Sequence, residues 1–193
     1  MSVKQSYKNP CTPWIGPNYE RTGLLILGES TFRKDDDRPY RTMESQISEI
    51  SNTAWKDFAR NDYRFLASLT AAMSVGDATD AGEINPKAVW ENVAITNYVP
   101  GWLESRDASH RPKPADYEHA VSVFPALLDY FKPRLIAVLG LPISEYGRRS
   151  WWEQLMTAHA EVENHPNFPA VEVKIYKSSE GQECVAVPVG HPT

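Results

Sequence analysis

The run Leu135-Ile136-Ala137-Val138-Leu139-Gly140 is the strongest constraint on how this chain folds. A short, unbroken apolar stretch of this kind is the mark of a strand buried on both faces, the situation of strands inside a parallel sheet. Three more segments share the character: residues 23–28, residues 184–189, and the stretch from Trp90 to Thr96 that ends in Asn97, with its strand near 92–97. Helical material separates the four, so they call for βαβ crossovers with helices on both faces. The segment from Val171 to Tyr176, joined to residues 184–189 by Ser178-Ser179-Glu180-Gly181, reads as a hairpin adding one antiparallel strand. The expected fold is a three-layer α/β/α sandwich with a mainly parallel four-stranded central sheet, formed by a single domain over residues 1–193.

The intervening segments carry helical periodicity. Between about Thr42 and Val75, Ile47, Ile50 and Ala54 recur at helical spacing, as do Phe65, Leu66, Leu69 and Met73. Asn61-Asp62 divides this stretch by capping a second helix. Val121, Phe124, Leu128 and Phe131 lie on one helical face, where Pro125 implies a kink or a late start. A further helix is expected from about Ile143 to Ala158, with Trp151, Trp152 and Leu155 as core aromatics and aliphatics. Residues 1–22, rich in Pro, Asn and aromatics, read as an irregular arm packed by Trp14 and Tyr19. Residues 98–114, with three prolines and many charges, read as a long loop of the kind that often carries function.

Composition narrows the functional classes. A chain of 193 residues with 41 % hydrophobic and 23 % charged residues has the make-up of a globular protein. No stretch approaches the ~20 apolar residues of a membrane helix, and the first residues lack the apolar core of a signal peptide. A cytoplasmic location without membrane association is the expectation. Cys11 and Cys184 are too few for a disulfide framework or a cysteine-rich metal site. Asp35-Asp36-Asp37 could meet a hard cation, yet consecutive acids in a loop usually face solvent, and Glu163-Asn164-His165 has no partner cluster. Neither metal nor cofactor is expected. The net charge of −5 argues against a broadly basic nucleic-acid surface but leaves room for local basic residues, among them Arg106, His110, Arg111 and Lys113.

Polar residues collect where the predicted parallel strands end, the place where open α/β sheets bind ligands. Gly28-Glu29-Ser30 follows the first strand, Thr96-Asn97 ends the second, Gly140 follows the third, and His191-Pro192-Thr193 follows the last. Singly, each has an ordinary use in turns or backbone capping; together they mark one pocket. Neither a GxGxxG nor a Walker sequence is present, and a Gly-x-Ser-x-Gly nucleophile elbow is missing too.

The order of these pieces resembles the uracil-DNA glycosylase superfamily, most closely its branch of iron–sulfur enzymes, across nearly all of residues 23–193. Gly28-Glu29-Ser30-Thr31-Phe32 stands in place of that branch's Gly-Glu motif, and Arg38-Pro39-Tyr40 in place of an Arg-Pro-Phe-like segment. Ile95-Thr96-Asn97-Tyr98-Val99 echoes its Thr-Asn segment. Arg111-Pro112-Lys113-Pro114 and Lys132-Pro133-Arg134 match the basic loop and the strand entry that follow. His191-Pro192-Thr193 takes the place of a closing His-Pro-Ser.

The resemblance implies hydrolysis of the N-glycosidic bond of uracil or another deaminated base. In that reaction negative charge grows on the departing base, and preorganised donors must meet it. His191 would donate to a carbonyl oxygen of the base, and Asn97 would read its edge with both amide donor and acceptor. Tyr40 would stack on the flipped base. Gly28 and the backbone N–H groups of Glu29 and Ser30 would hold another base oxygen, while Glu29 or Ser30 positions the attacking water. Arg111 and Lys113 would meet DNA phosphates. The metal-binding cysteines of the branch are missing, Ser30 stands where more active relatives place Asp or Asn, and the sequence ends at Thr193, before the loop with which relatives wedge open a duplex. Single-stranded DNA is therefore the expected nucleic-acid partner. A second expectation stands beside it: a non-catalytic protein that binds a free base, nucleoside or nucleotide with the same fold.

Overall fold

The computed structural model describes residues 13–32, 43–52, 64–74, 84–103, 112–140, 159–165 and 168–189. The central sheet is built on the four apolar runs. They form β2 (Leu24–Gly28), β4 (Val93–Asn97), β6 (Leu135–Leu139) and β9 (Glu183–Val189), and these are parallel neighbours in the order β4-β2-β6-β9. Leu25, Ile26 and Leu27 are all essentially inaccessible, so β2 is buried on both faces.

The sheet is wider than four strands. Three antiparallel additions, β1 (Trp14–Ile15), β7 (Ala160–His165) and β8 (Phe168–Lys177), make it seven-stranded and mixed, in the order β1-β4-β2-β6-β9-β8-β7. The hairpin strand is β8 (Phe168–Lys177), longer than expected at both ends, and it pairs with β7 (Ala160–His165). Glu163-Asn164-His165 therefore belongs to an edge strand. At the opposite edge, β1 (Trp14–Ile15) pairs antiparallel with β4, and α1 (Tyr19–Thr22) follows, so the described part of the N-terminal arm is regular. Of the six pairings in this sheet, half are parallel and half antiparallel. A four-stranded, mainly parallel sheet is thus corrected to a seven-stranded mixed one.

Because strand side chains alternate between faces, the sheet divides the apolar residues into two cores. On one face Leu25, Leu27, Ala94, Ile136, Val138 and Ala186 meet Phe124, Leu127, Leu128 and Phe131 of the helix Pro114–Phe131. On the other, Ile26, Val93, Ile95 and Leu139 meet Ile47 and Ile50 of α2 (Met43–Asn52), Leu66 and Leu69 of α3 (Arg64–Ser74), and Trp90 of α4 (Pro86–Trp90). The two helical segments expected between Thr42 and Val75 are therefore α2 and α3; Ala54 and the Asn61-Asp62 divide lie outside the described residues, as does the segment 143–158.

Further boundaries differ from the sequence reading. Trp90 ends a helix rather than opening a strand: Asn85 caps α4, accepting from the Ala88 backbone N–H at 3.2 Å, and Pro86 supplies the first helical residue. The helix Pro114–Phe131, here α5, starts before Pro125 and runs through it. Pro125 is exposed, while Phe124, Leu127 and Leu128 around it are buried against the sheet. The stretch 98–114 is not wholly a loop either, since Trp102–Leu103 forms β5, which pairs parallel with β3 (Thr31–Phe32) in a small second sheet.

The far end of α5 is tied to the β8–β9 turn. Lys132 closes the helix in a left-handed conformation (φ 45°), donating its backbone N–H to Leu128 O at 2.8 Å. Its ammonium reaches Glu180 at 2.8 Å, and Asp129 accepts from the Ser179 backbone N–H at 2.7 Å. These contacts fix α5 across the sheet and so fix the position of its N-terminal turn beside the strand ends.

Candidate functional site at the strand ends

β2 and β4 stop flush: Gly28 is the register partner of Asn97. The pairing then continues into the turns that follow. Tyr98 N donates to Gly28 O at 2.7 Å, and Val99 N donates to Glu29 O at 2.9 Å. A few residues on, the two chains pair again as β3 and β5. Glu29 and Ser30 are thereby held between two parallel pairings, and the backbone that presents them has little freedom.

Asn97 lies over Gly28. A Cβ built on residue 28 would fall 2.5 Å from Asn97 Oδ1, well inside van der Waals contact. The missing side chain is what lets the carboxamide occupy that space. Asn97 and Gly28 continue the alternation of Ile95 and Ile26, which places them toward the α2–α4 face.

Glu29 is served from the other face. Tyr117 OH donates to Glu29 Oε1 at 2.6 Å, a contact spanning 88 positions of sequence. Tyr117 stands in the first turn of α5, whose start is fixed by Pro114 and by the Asp116 carboxylate, which accepts from the Lys113 backbone N–H at 2.7 Å. Lys113 itself is exposed at the N-cap position. The Glu29 carboxylate and the Lys113 side chain therefore flank the same helix start.

Two buried hydroxyls stand beside these residues. Ser30 Oγ and Thr96 Oγ1 meet no hydrogen-bond partner among the described residues, although both atoms are shielded from solvent. On the α5 side of the sheet the core is aromatic: Tyr98 packs 5.2 Å from Phe124, and Phe124 packs 5.1 Å from Tyr176. Burial drives the phenols of Tyr98 and Tyr176 far above their ordinary range, so both stay protonated and neutral. Cys184 lines the same core, and burial pushes its thiol up to about 11, which keeps it out of its reactive thiolate form at neutral pH.

Of the residues singled out in the sequence, the structure sets Gly28, Glu29, Ser30 and Asn97 at the ends of β2 and β4, with Asn97 toward the α2–α4 face and Glu29 toward α5, and sets Lys113 at the helix start beside Tyr117. Tyr40, Arg111 and His191 lie outside the described residues.

No protein-family model and no curated protein matches this sequence.

Two polar side chains escaped the sequence reading. Tyr117 looks like one more core aromatic, and only its position one turn into a helix that begins beside the strand ends distinguishes it. Lys174 is fully buried on β8, with Nζ 3.6 Å from Glu172 Oε1. The alternation Glu172-Val173-Lys174-Ile175-Tyr176 hid it, because it groups the lysine with the exposed Glu172 opposite Val173 and Ile175, although that face also carries the core residue Tyr176. No helix among the described residues is long and apolar enough to cross a membrane.

Proposed function

We propose that this protein is a glycosylase-type hydrolase that cleaves the N-glycosidic bond of uracil or another deaminated base, acting on single-stranded DNA. The fold is read accordingly as a uracil-DNA glycosylase-like three-layer sandwich. The observation that carries the proposal is the pairing of Gly28 with Asn97 at the carboxyl ends of adjacent parallel strands, with the Asn97 carboxamide laid over the glycine and the Glu29 carboxylate in the next position. A carboxamide held rigidly offers both donor and acceptor to the edge of a pyrimidine. The neighbouring carboxylate can orient a water toward the sugar carbon.

In the reaction the bond between sugar and base breaks, and its electron pair leaves with the base. Water adds to the sugar carbon, and the proton it loses ends on the departing base. His191 donates to the carbonyl oxygen on which charge accumulates, and loss of one such donor typically costs on the order of 3 kcal/mol of transition-state stabilisation. Tyr40 stacks on the base. Arg111 and Lys113 hold phosphates of the strand, and the net charge of −5 restricts that grip to a local one. Single-stranded substrate fits such a grip because it requires no unpairing before the base enters the pocket.

A second reading, binding of a base or nucleotide without turnover, is favoured by Ser30. Its hydroxyl is neutral and a poor base, and it lies buried without a partner among the described residues. The two readings separate in one experiment. Oligonucleotides bearing a single uracil, hypoxanthine or xanthine, single-stranded and duplex, are incubated with the wild-type protein and with His191→Ala. Alkali-labile sites that form with the wild type and vanish in the variant support the glycosylase. Their absence on every substrate at high protein concentration removes it and leaves the binding reading.

A further inference from the structure

We propose that Tyr117 is the positioning residue for Glu29: its phenol holds one carboxylate oxygen so that the carboxyl group meets the attacking water in a single orientation. The inference rests on the glycosylase reading above and adds to it a residue outside the sequence motifs that suggested that reading.

Three observations combine. First, the contact is short, 2.6 Å from Tyr117 OH to Glu29 Oε1, and partly buried. Hydrogen bonds from O–H donors to ionised carboxylates fall in this range and are about twice as strong as neutral ones. Second, both ends are anchored. Glu29 is fixed through its own carbonyl, which accepts from Val99 N at 2.9 Å, and Tyr117 sits in the first turn of an 18-residue helix whose ring side packs against the main core. A bond between two rigid frames sets an angle; a bond between two loose ones does not. Third, the geometry needs a long, stiff donor. The ring spans from the helix to the end of β2 with only two torsions.

Tyr117 acts through Glu29 without touching the reacting atoms. What it supplies is orientation: a carboxylate turned away from the sugar carbon still lets substrate bind but leaves the water unaligned. Misplacement of a catalytic group by about 1 Å can cost on the order of a hundredfold in rate.

Tyr117→Phe tests this, since it removes the hydroxyl and keeps the ring in the core. On a single-stranded uracil oligonucleotide the variant is expected to lose about tenfold in kcat with KM within about twofold, on the scale of one charge-assisted hydrogen bond. The double variant Tyr117→Phe/Glu29→Ala should be no slower than Glu29→Ala alone. Tyr130→Phe, on the exposed side of the same helix, should match wild type. Urea midpoints of all variants identify any loss that comes from unfolding. A Tyr117→Phe protein with wild-type kcat, or a double variant whose losses multiply, overturns the positioning role while the glycosylase reading stands. A wild-type protein that releases no base from any oligonucleotide overturns both.

Discussion

Gly28 and Asn97 are cross-strand partners, and the Asn97 Oδ1 occupies the space that a side chain on residue 28 would fill. The relationship couples a backbone position to a recognition group. The glycine is there because an amide needs its place, and the amide is held because the glycine leaves room beside a paired backbone. Neither residue does its work alone.

Gly28→Ala should therefore behave as an Asn97 variant. The new methyl group would displace the carboxamide more readily than the paired backbone. Expected is a loss of about 10- to 100-fold in kcat/KM for base release, or in affinity for the free base, corresponding to one or two polar contacts. Stability should fall by less than about 1.5 kcal/mol, since the strand pairing survives. In an Asn97→Ala background the same substitution should cost nearly nothing further. Full additivity of the two would show that the pair is not coupled.

How much of this was legible in the sequence follows from what each element buries. The four parallel strands were visible because β2, β4, β6 and β9 lie inside the sheet and their side chains are apolar on both faces. The edges were not. β1 has only two residues, and β7 carries the exposed Glu161 and Glu163, so an edge strand open to water shows no apolar run to read. Trp90 was misread because an aromatic beside an apolar stretch suits a strand as well as a helix end, whereas Asn85-Pro86 was the better signal. At the site, Gly28, Glu29 and Asn97 were identifiable by their place at strand ends. Tyr117 was hidden because a helical tyrosine next to a core face looks like packing until its hydroxyl finds a carboxylate 88 residues away.

The side of the sheet that supports Asn97 contains a buried polar chain. Trp90 Nε1 donates to Thr70 Oγ1 at 3.0 Å, and Thr70 Oγ1 donates to Leu66 O at 2.7 Å, with both residues inaccessible to solvent. Thr70→Val keeps the shape and removes the acceptor, leaving the indole N–H buried and unpaired. The expected cost is about 1–3 kcal/mol, read as a lower urea midpoint with an unchanged slope. Trp90→Phe in that background should recover part of it, because the orphaned donor disappears. A Thr70→Val protein as stable as wild type would mean that the contact contributes nothing net.

Alkaline pH should destabilise the fold through Cys184. Its thiol is raised from 9.0 to about 11, first by burial, with a backbone hydrogen bond to Tyr176 opposing. The unfolded chain releases this proton at lower pH than the folded one. The contribution is therefore complete below about pH 9 and is lost as pH rises through about 11. A difference of two units corresponds to about 2–3 kcal/mol. Unfolding free energies measured from pH 8 to pH 11 should fall less steeply for Cys184→Ala than for wild type, although the variant starts lower because it opens a small cavity. Parallel pH profiles would show that the thiol does not titrate differently in the two states.

Tyr19 offers a change that should improve the protein. Its ring is core, buried to 5 % exposure and packed edge-on to Phe131 at 6.3 Å, while its hydroxyl is shielded and meets no hydrogen-bond partner among the described residues. Burial raises the phenol far above its usual range, which again marks an oxygen removed from water. A buried hydroxyl without a partner has lost its hydration and gained nothing, so Tyr19→Phe should remove a desolvation cost and keep the packing. The expected gain is up to about 1 kcal/mol, a rise of about 2–4 °C in Tm for a chain of this size. Base release should be unchanged, because α1 lies at the opposite end of β2 from Glu29. A destabilised Tyr19→Phe protein would show that the hydroxyl is satisfied in solution, by water or by a residue outside those described.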